Sequence, residues 1–228
     1  MRVVTLLVTL TLLLLAAPVG AQVPIVTCGQ VLNGDGKLIG DLDCSAYVGD
    51  AVVLPNGGTV TLNGFTLTGN PTISTAAVRC SRRCRVIGPG VITGAWAGVS
   101  AVDDQLNSFR RVSAAIEDLT VTASVLPAEA SGSLRVRGCV ISDNERGLVA
   151  VKTLRISAST VTGNDDFGAL SQLSRVILVD SAVTGNGDAC GSFCVDLFCP
   201  RRPVLNGSTC GTSAQDQTHV TWGVCTND

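Results

Sequence analysis

Six times between Thr66 and Asn186 the chain repeats one short phrase, as in Thr66-Leu67-Thr68-Gly69-Asn70 and again in Thr160-Val161-Thr162-Gly163-Asn164. Counting the last residue of each copy as position zero, the copies end at Asn70, Ala95, Ser124, Asn144, Asn164 and Asn186, in steps of 25, 29, 20, 20 and 22. Position minus two always carries a hydroxyl: Thr68, Thr93, Thr122, Ser142, Thr162 and Thr184. Position minus three is aliphatic in Leu67, Ile92, Val121, Ile141, Val161 and Val183, and so is position minus eight in Leu62, Ile87, Ile116, Val136, Ile156 and Leu178. Two apolar ladders and one hydroxyl ladder in step are a structural repeat rather than an accident of a Val-rich composition.

Within each copy, β-branched residues alternate for a few positions and then break at Gly, Asn, Asp or Ser, which reads as short strands joined by tight corners. Leu154-Arg155-Ile156, Thr160-Val161-Thr162 and Gly168-Ala169-Leu170 are three such strands in about twenty residues, one coil of a parallel β-solenoid. Stacked coils place like side chains on like. The apolar ladders then fill the interior. Asn70, Asn144, Asn164 and Asn186 are expected to take left-handed corner geometry and to bond along the stack. The two wide steps predict loops at Asn70–Arg83 and Ala97–Arg110.

Residues 1–21 read as an export signal, with Met1-Arg2, an apolar run to Ala17 and a small-residue end at Val19-Gly20-Ala21. The remaining chain, 22–228, is expected to be a single domain: an amino-terminal cap over 22–50, coils over 51–187 and a Cys-rich cap over 188–228. It is expected to be secreted (extracellular, periplasmic or at the cell surface), monomeric and without membrane insertion. The Arg pairs Arg82-Arg83, Arg110-Arg111 and Arg201-Arg202 are scattered along a chain of formal charge −2, which argues against a nucleic-acid partner.

The ten cysteines, all after the export signal, point to disulfides in an oxidising compartment. Cys28 with Cys44, Cys80 with Cys84, and Cys210 with Cys225 are the expected pairs. Cys139 is expected to be a buried thiol. The five carboxy-terminal cysteines leave one unpaired or in reach of Cys139, and a zinc site from Cys190, Cys194 and Cys199 is the alternative.

Several stretches resemble secreted bacterial right-handed parallel β-helix repeat proteins of the pectate-lyase-like superfamily. They are Cys28 with Gly40-Asp41-Leu42-Asp43-Cys44, the run Thr59–Gly69, the Asn-ended coils, and Arg202-Pro203, Cys210-Gly211-Thr212-Ser213 and Trp222-Gly223-Val224-Cys225. The resemblance implies an all-β chain folded as a right-handed single-stranded parallel β-helix, of about six to eight coils with disulfide-tied terminal caps. It leaves activity open, because that superfamily holds lyases, hydrolases, epimerases and adhesins.

Enzymes of such folds use stacked carboxylates on one face and its corner. Here Glu145, Asp165, Asp166 and Asp188 follow successive repeat phrases and are the candidate calcium ligands. Asp165 and Asp166, with Arg146 and Lys152 to meet a uronate, are the candidate catalytic residues. The adjacent aspartates occur without the Gly-His-Gly and Arg-x-Lys elements of polygalacturonase-like hydrolases. His219, the one histidine, has no nucleophile elbow to serve. Two functions follow from this reading. The first is a non-enzymatic exported protein that binds glycan or another partner and requires no cofactor. The alternative is a calcium-dependent lyase, or a related carbohydrate-active enzyme, that acts on acidic polysaccharide.

Overall fold

The structure is a computed structural model that describes residues 22–72, 74–102, 111–188, 194–215 and 220–228. Among these residues the regular structure is β throughout, as three parallel sheets. Sheet I holds nine strands, Gln30–Val31, Val52–Leu54, Ala76–Cys80, Ala97–Ala101, Leu126–Ala130, Leu148–Ala150, Phe167–Ser171, Val195–Phe198 and Ser213–Ala214. Sheet II holds Val23–Ile25, Gly36–Leu38, Gly58–Thr61, Cys84–Ile87, Ala114–Glu117, Leu134–Arg137, Leu154–Ser157, Val176–Val179 and Val204–Asn206. Sheet III holds eight, Leu42–Asp43, Thr66–Thr68, Val91–Thr93, Thr120–Thr122, Val140–Ser142, Thr160–Thr162, Ala182–Val183 and Thr209–Cys210. The chain visits the sheets in the order I, II, III and then repeats, so each coil lays one strand on each sheet, and the fold is a parallel β-helix.

The minus-three ladder is one continuous column at the centre of sheet III. Leu67 pairs with Ile92, Ile92 with Val121, Val121 with Ile141, Ile141 with Val161 and Val161 with Val183. All six are fully buried. The minus-eight ladder holds from Ile116 through Val136 and Ile156 to Leu178. Below Ile116 it slips, because the column continues to Val86 and Val60 in place of Ile87 and Leu62. The turn from sheet II to sheet III is longer in those two coils, so a fixed offset from position zero lands beyond the strand centre. Leu62 is still buried, while Ile87 points outward and is half-buried.

The corner asparagines differ from expectation in backbone geometry, while Asn144, Asn164 and Asn186 do bond along the stack. Left-handed φ belongs to the residue before Asn144, Asn164 and Asn186, and before Ala95 and Ser124 in the coils that lack the asparagine: Asp143, Gly163, Gly185, Gly94 and Ala123 have φ between 51° and 66°, whereas Gly69, before Asn70, is not left-handed. Glycine or a short residue relieves the turn at that position, which frees Asn144, Asn164 and Asn186 to point inward, where they are buried. There they form a ladder. The Asn164 Oδ1 accepts from the Asn144 backbone N–H at 3.3 Å and from its Nδ2 at 2.9 Å, and the Asn186 Oδ1 accepts likewise from Asn164 at 3.2 and 2.6 Å. The column ends on Asp196, whose Oδ1 accepts from Asn186 N and Nδ2 at 3.0 and 2.7 Å, while its Oδ2 accepts from Thr212. Asn70 stands outside this ladder, because Ala95 occupies the next coil; its Nδ2 donates to the carbonyls of Ser45 and Tyr47.

A second polar column lines the turn from sheet II to sheet III. The Ser159, Ser181 and Ser208 hydroxyls each accept the backbone N–H of the coil before, starting at Cys139. Cys139 therefore fills a serine place, and its Sγ donates to the Arg137 carbonyl at 3.1 Å. Desolvation pushes its thiol up to about 11. Burial likewise raises Cys199, the other free cysteine among the described residues.

The three expected disulfides are present, at Cys28–Cys44, Cys80–Cys84 and Cys210–Cys225. Cys194 is also disulfide-bonded and so cannot serve as a zinc thiolate; Cys190 lies outside the described residues. The sheets extend beyond 51–187 at both ends: strands within 22–50 open all three sheets, and strands within 188–228 close them. Irregular composition hid these terminal coils from the repeat. Of the two wide-step loops, the first gives way to strand at Ala76–Cys80, and residue 73 lies outside the described residues. In the second, Ala97–Ala101 is strand, and 103–110 lies outside the described residues.

Candidate functional site

The acidic corner runs between sheets III and I. The Glu145 backbone N–H bonds to the Ser124 carbonyl, Asp165 N–H to Asn144 and Asp166 N–H to Glu145, so the coil register does stack this corner. Stacked backbones do not gather the side chains. Glu145, Asp165 and Asp188 are exposed. Arg146 Nε lies 3.8 Å from Asp166 Oδ2 and 4.0 Å from Glu145 Oε1, with half of its side chain in solvent. Ion pairs of that length and exposure contribute under about 1 kcal/mol. Asp166 Oδ1 is buried and has no hydrogen-bond partner.

Among the described residues, no group of three or more His, Cys, Asp or Glu side chains lies close enough to hold a metal ion. Glu145, Asp165, Asp166 and Asp188 are accordingly not gathered into one such group. Lys152 is not part of this corner. It follows the strand Leu148–Ala150 and sits where sheet I turns into sheet II, its N–H on the Gly132 carbonyl and its own carbonyl on the Ser171 hydroxyl. The catalytic set Asp165, Asp166, Arg146 and Lys152 is divided between two corners.

The outer face of sheet II is the charged surface that the linear sequence conceals. Its strands alternate, with Leu134, Val136, Leu154 and Ile156 inward and Arg135, Arg137 and Arg155 outward. Arg135 pairs in register with Arg155 on the next coil, about 4.8 Å away, and Arg137 stands two residues along from Arg135 on the same face. Arg85 lies two coils before Arg135 in the same column, and its guanidinium forks onto Glu117 at 3.2 and 2.8 Å. Arg135, Arg137 and Arg155 are exposed and make no ion pair or side-chain hydrogen bond among the described residues.

Four cations lie elsewhere: Arg2 and Arg110 fall outside the described residues, Arg79 is tied to Asp50 and Ser100 on sheet I, and Arg146 is at the acidic corner. Every other Lys and Arg of the chain lies on the face of sheet II or in the corner that leads into it. The described carboxylates in that region are Glu117, which is engaged by Arg85, and Asp35 in the first coil. Two shallow grooves follow the face, one lined by Glu117, Arg135, Arg137, Arg155 and Ser157, the other by Arg83, Ser113, Ser133 and Arg135. They share Arg135 and form one continuous strip.

This strip escaped the sequence reading because its members are some twenty residues apart. The signal was present in Leu134-Arg135-Val136-Arg137 and Leu154-Arg155-Ile156, where a cation precedes an inward aliphatic. Unpaired guanidiniums on a flat, groove-forming face concentrate anions and bind carboxylate, sulfate or phosphate through paired N–H donors.

Comparison with family models, with curated proteins and with solved structures gives no match to this chain. Among the described residues, no helix is long and apolar enough to cross a membrane.

Proposed function

We propose that the protein is an exported, non-enzymatic β-helix that binds acidic glycan along the outer face of sheet II. The observation that carries this reading is the segregation of charge: on a chain of net charge −2, twelve of the sixteen cations lie on the face of sheet II or in the corner that leads into it, and Arg135, Arg137 and Arg155 have no partner among the described residues. Exposed like charges repel at this spacing, so a fold gains no stability from gathering them. A ligand that supplies the missing counter-charge accounts for the arrangement. The export signal and the disulfides favour an oxidising, extracellular setting. The likeness to pectate-lyase-like repeat proteins agrees with a glycan ligand.

The test uses calorimetry on the mature chain with acidic and neutral polysaccharides. The expected result is binding of acidic chains alone, recovery of the ligand intact, and at least a tenfold loss on replacing Arg135, Arg137 and Arg155 together by Ala. Asp165→Ala with Asp166→Ala is expected to leave affinity within about twofold. Equal binding of neutral chains, or binding that survives loss of the three arginines, contradicts the reading. Release of unsaturated sugar, seen as new ultraviolet absorbance, would make the protein a lyase.

A further inference from the structure

We propose that the glycan held on sheet II is a sulfated one, gripped by direct contact between guanidinium and sulfate with no bridging metal ion. This rests on the reading of sheet II as the glycan-binding face and goes on to its chemistry.

The linear charge density of the strip sets the class of ligand. Coils stack about 4.8 Å apart along the axis. From the strand Cys84–Ile87 to the strand Val204–Asn206, every coil brings between one and three cations to the face or its leading corner: Arg82, Arg83 and Arg85 in one coil, Arg135 and Arg137 in another, Lys152 and Arg155 in the next. The average is close to two per coil, and among the described residues of the strip Glu117 offsets one of these charges. A sugar ring and a coil advance by comparable distances. A polyuronate, with one carboxylate per ring, would leave about half of these cations unanswered beneath it. A chain with more than one anionic group per ring matches the strip, and sulfate esters supply such groups in addition to any carboxylate.

The side chains agree. Apart from Lys37 and Lys152 the cations are arginines, whose planar fork meets two oxygens of an oxyanion at once and sheds water more readily than an ammonium. Calcium bridging needs protein carboxylates on the face, and the described carboxylate among the arginines, Glu117, already holds Arg85. The strands of sheet II carry no Trp, Tyr or Phe, so stacking on sugar rings or bases has no platform there. Electrostatic contact with the anionic groups is what remains.

The experiment measures affinity of the full mature chain for four probes in the same buffer: a heparin octasaccharide, the same octasaccharide with its sulfates removed and its carboxylates kept, oligogalacturonate, and a short DNA duplex. The sulfated octasaccharide is expected to bind at least tenfold more tightly than the other three. Chelator should leave its affinity unchanged. Its log affinity should fall linearly with log salt, as release of several counterions requires. Replacing Arg135, Arg137 and Arg155 by Ala should weaken it at least thirtyfold with an unchanged unfolding midpoint, and lysines at the three positions should restore part of the loss. Equal affinity for the desulfated chain or for oligogalacturonate, or loss of binding in chelator, overturns the sulfate proposal while glycan binding stands. Binding of none of the three glycans overturns the underlying reading as well. So does a duplex that binds more tightly than every glycan.

Discussion

Replacing Asn164 by Ala is expected to destabilise the fold by about 2–5 kcal/mol, because it strands a buried backbone donor and breaks the ladder on both sides. Asn164 is 1 % exposed, and its Oδ1 receives both the backbone N–H and the Nδ2 of Asn144. Alanine removes that acceptor and leaves the buried Asn144 backbone N–H without its partner, while the Asn144 Nδ2 keeps the Ser142 and Val121 carbonyls. The Nδ2 of Asn164, which donates to Asn186 at 2.6 Å, disappears as well. Urea denaturation of the variant against the parent measures the cost. Asp165→Ala, one residue on and exposed, is the control and should change stability by under about 0.5 kcal/mol. A similar small effect for Asn164→Ala would mean that the inward ladder does not form in solution.

The second large effect is expected at Leu154. Its side chain is fully buried and stacks between Leu134 and Val176. Truncation to Ala removes apolar contacts and leaves a cavity that two fixed neighbouring coils cannot close, for a cost of about 2–5 kcal/mol. Arg155 follows it and faces outward, so Arg155→Ala should cost little stability while it weakens ligand binding. Measured together, the two neighbours separate the inner and outer sides of one strand. Comparable destabilisation at both positions would contradict the alternation.

The repeat was legible because stacking forces chemically alike residues into register, and the central column of sheet III follows the minus-three positions without a break. Where coil length varies, the same counting slips: Ile87 was assigned to a column that Val86 occupies, since nothing in the composition of Gly88-Pro89-Gly90 states how many residues a corner absorbs. The asparagines stand at the expected corners and Asn144, Asn164 and Asn186 bond along the stack as expected, but the left-handed turn falls on the residue before them. Sequence marks a turn, but which of two adjacent residues takes left-handed φ depends on which one the interior can satisfy with hydrogen bonds. The acidic candidates follow from equivalent places after successive repeat phrases, and their backbones do stack, but Lys152 of the catalytic set lies at the next corner. The basic strip had the opposite fate. Arg85, Arg135 and Arg155 are far apart in sequence and aligned in space, a relation that appears only once every strand of sheet II is laid in register.

That alignment is what a distance series tests most directly. Spin labels on cysteines placed at Arg85 and, one at a time, at Arg155, Ile177 and Val204 should give separations that rise by about 4.8 Å per coil, three, four and five steps along one column. Cys139 is buried, with its thiol held near 11, and should not take label in the folded chain. A regular rise across the three pairs is the expected result. Distances that fail to increase, or that scatter with no common increment, would contradict the stacked coils and dissolve the arginine strip built on them.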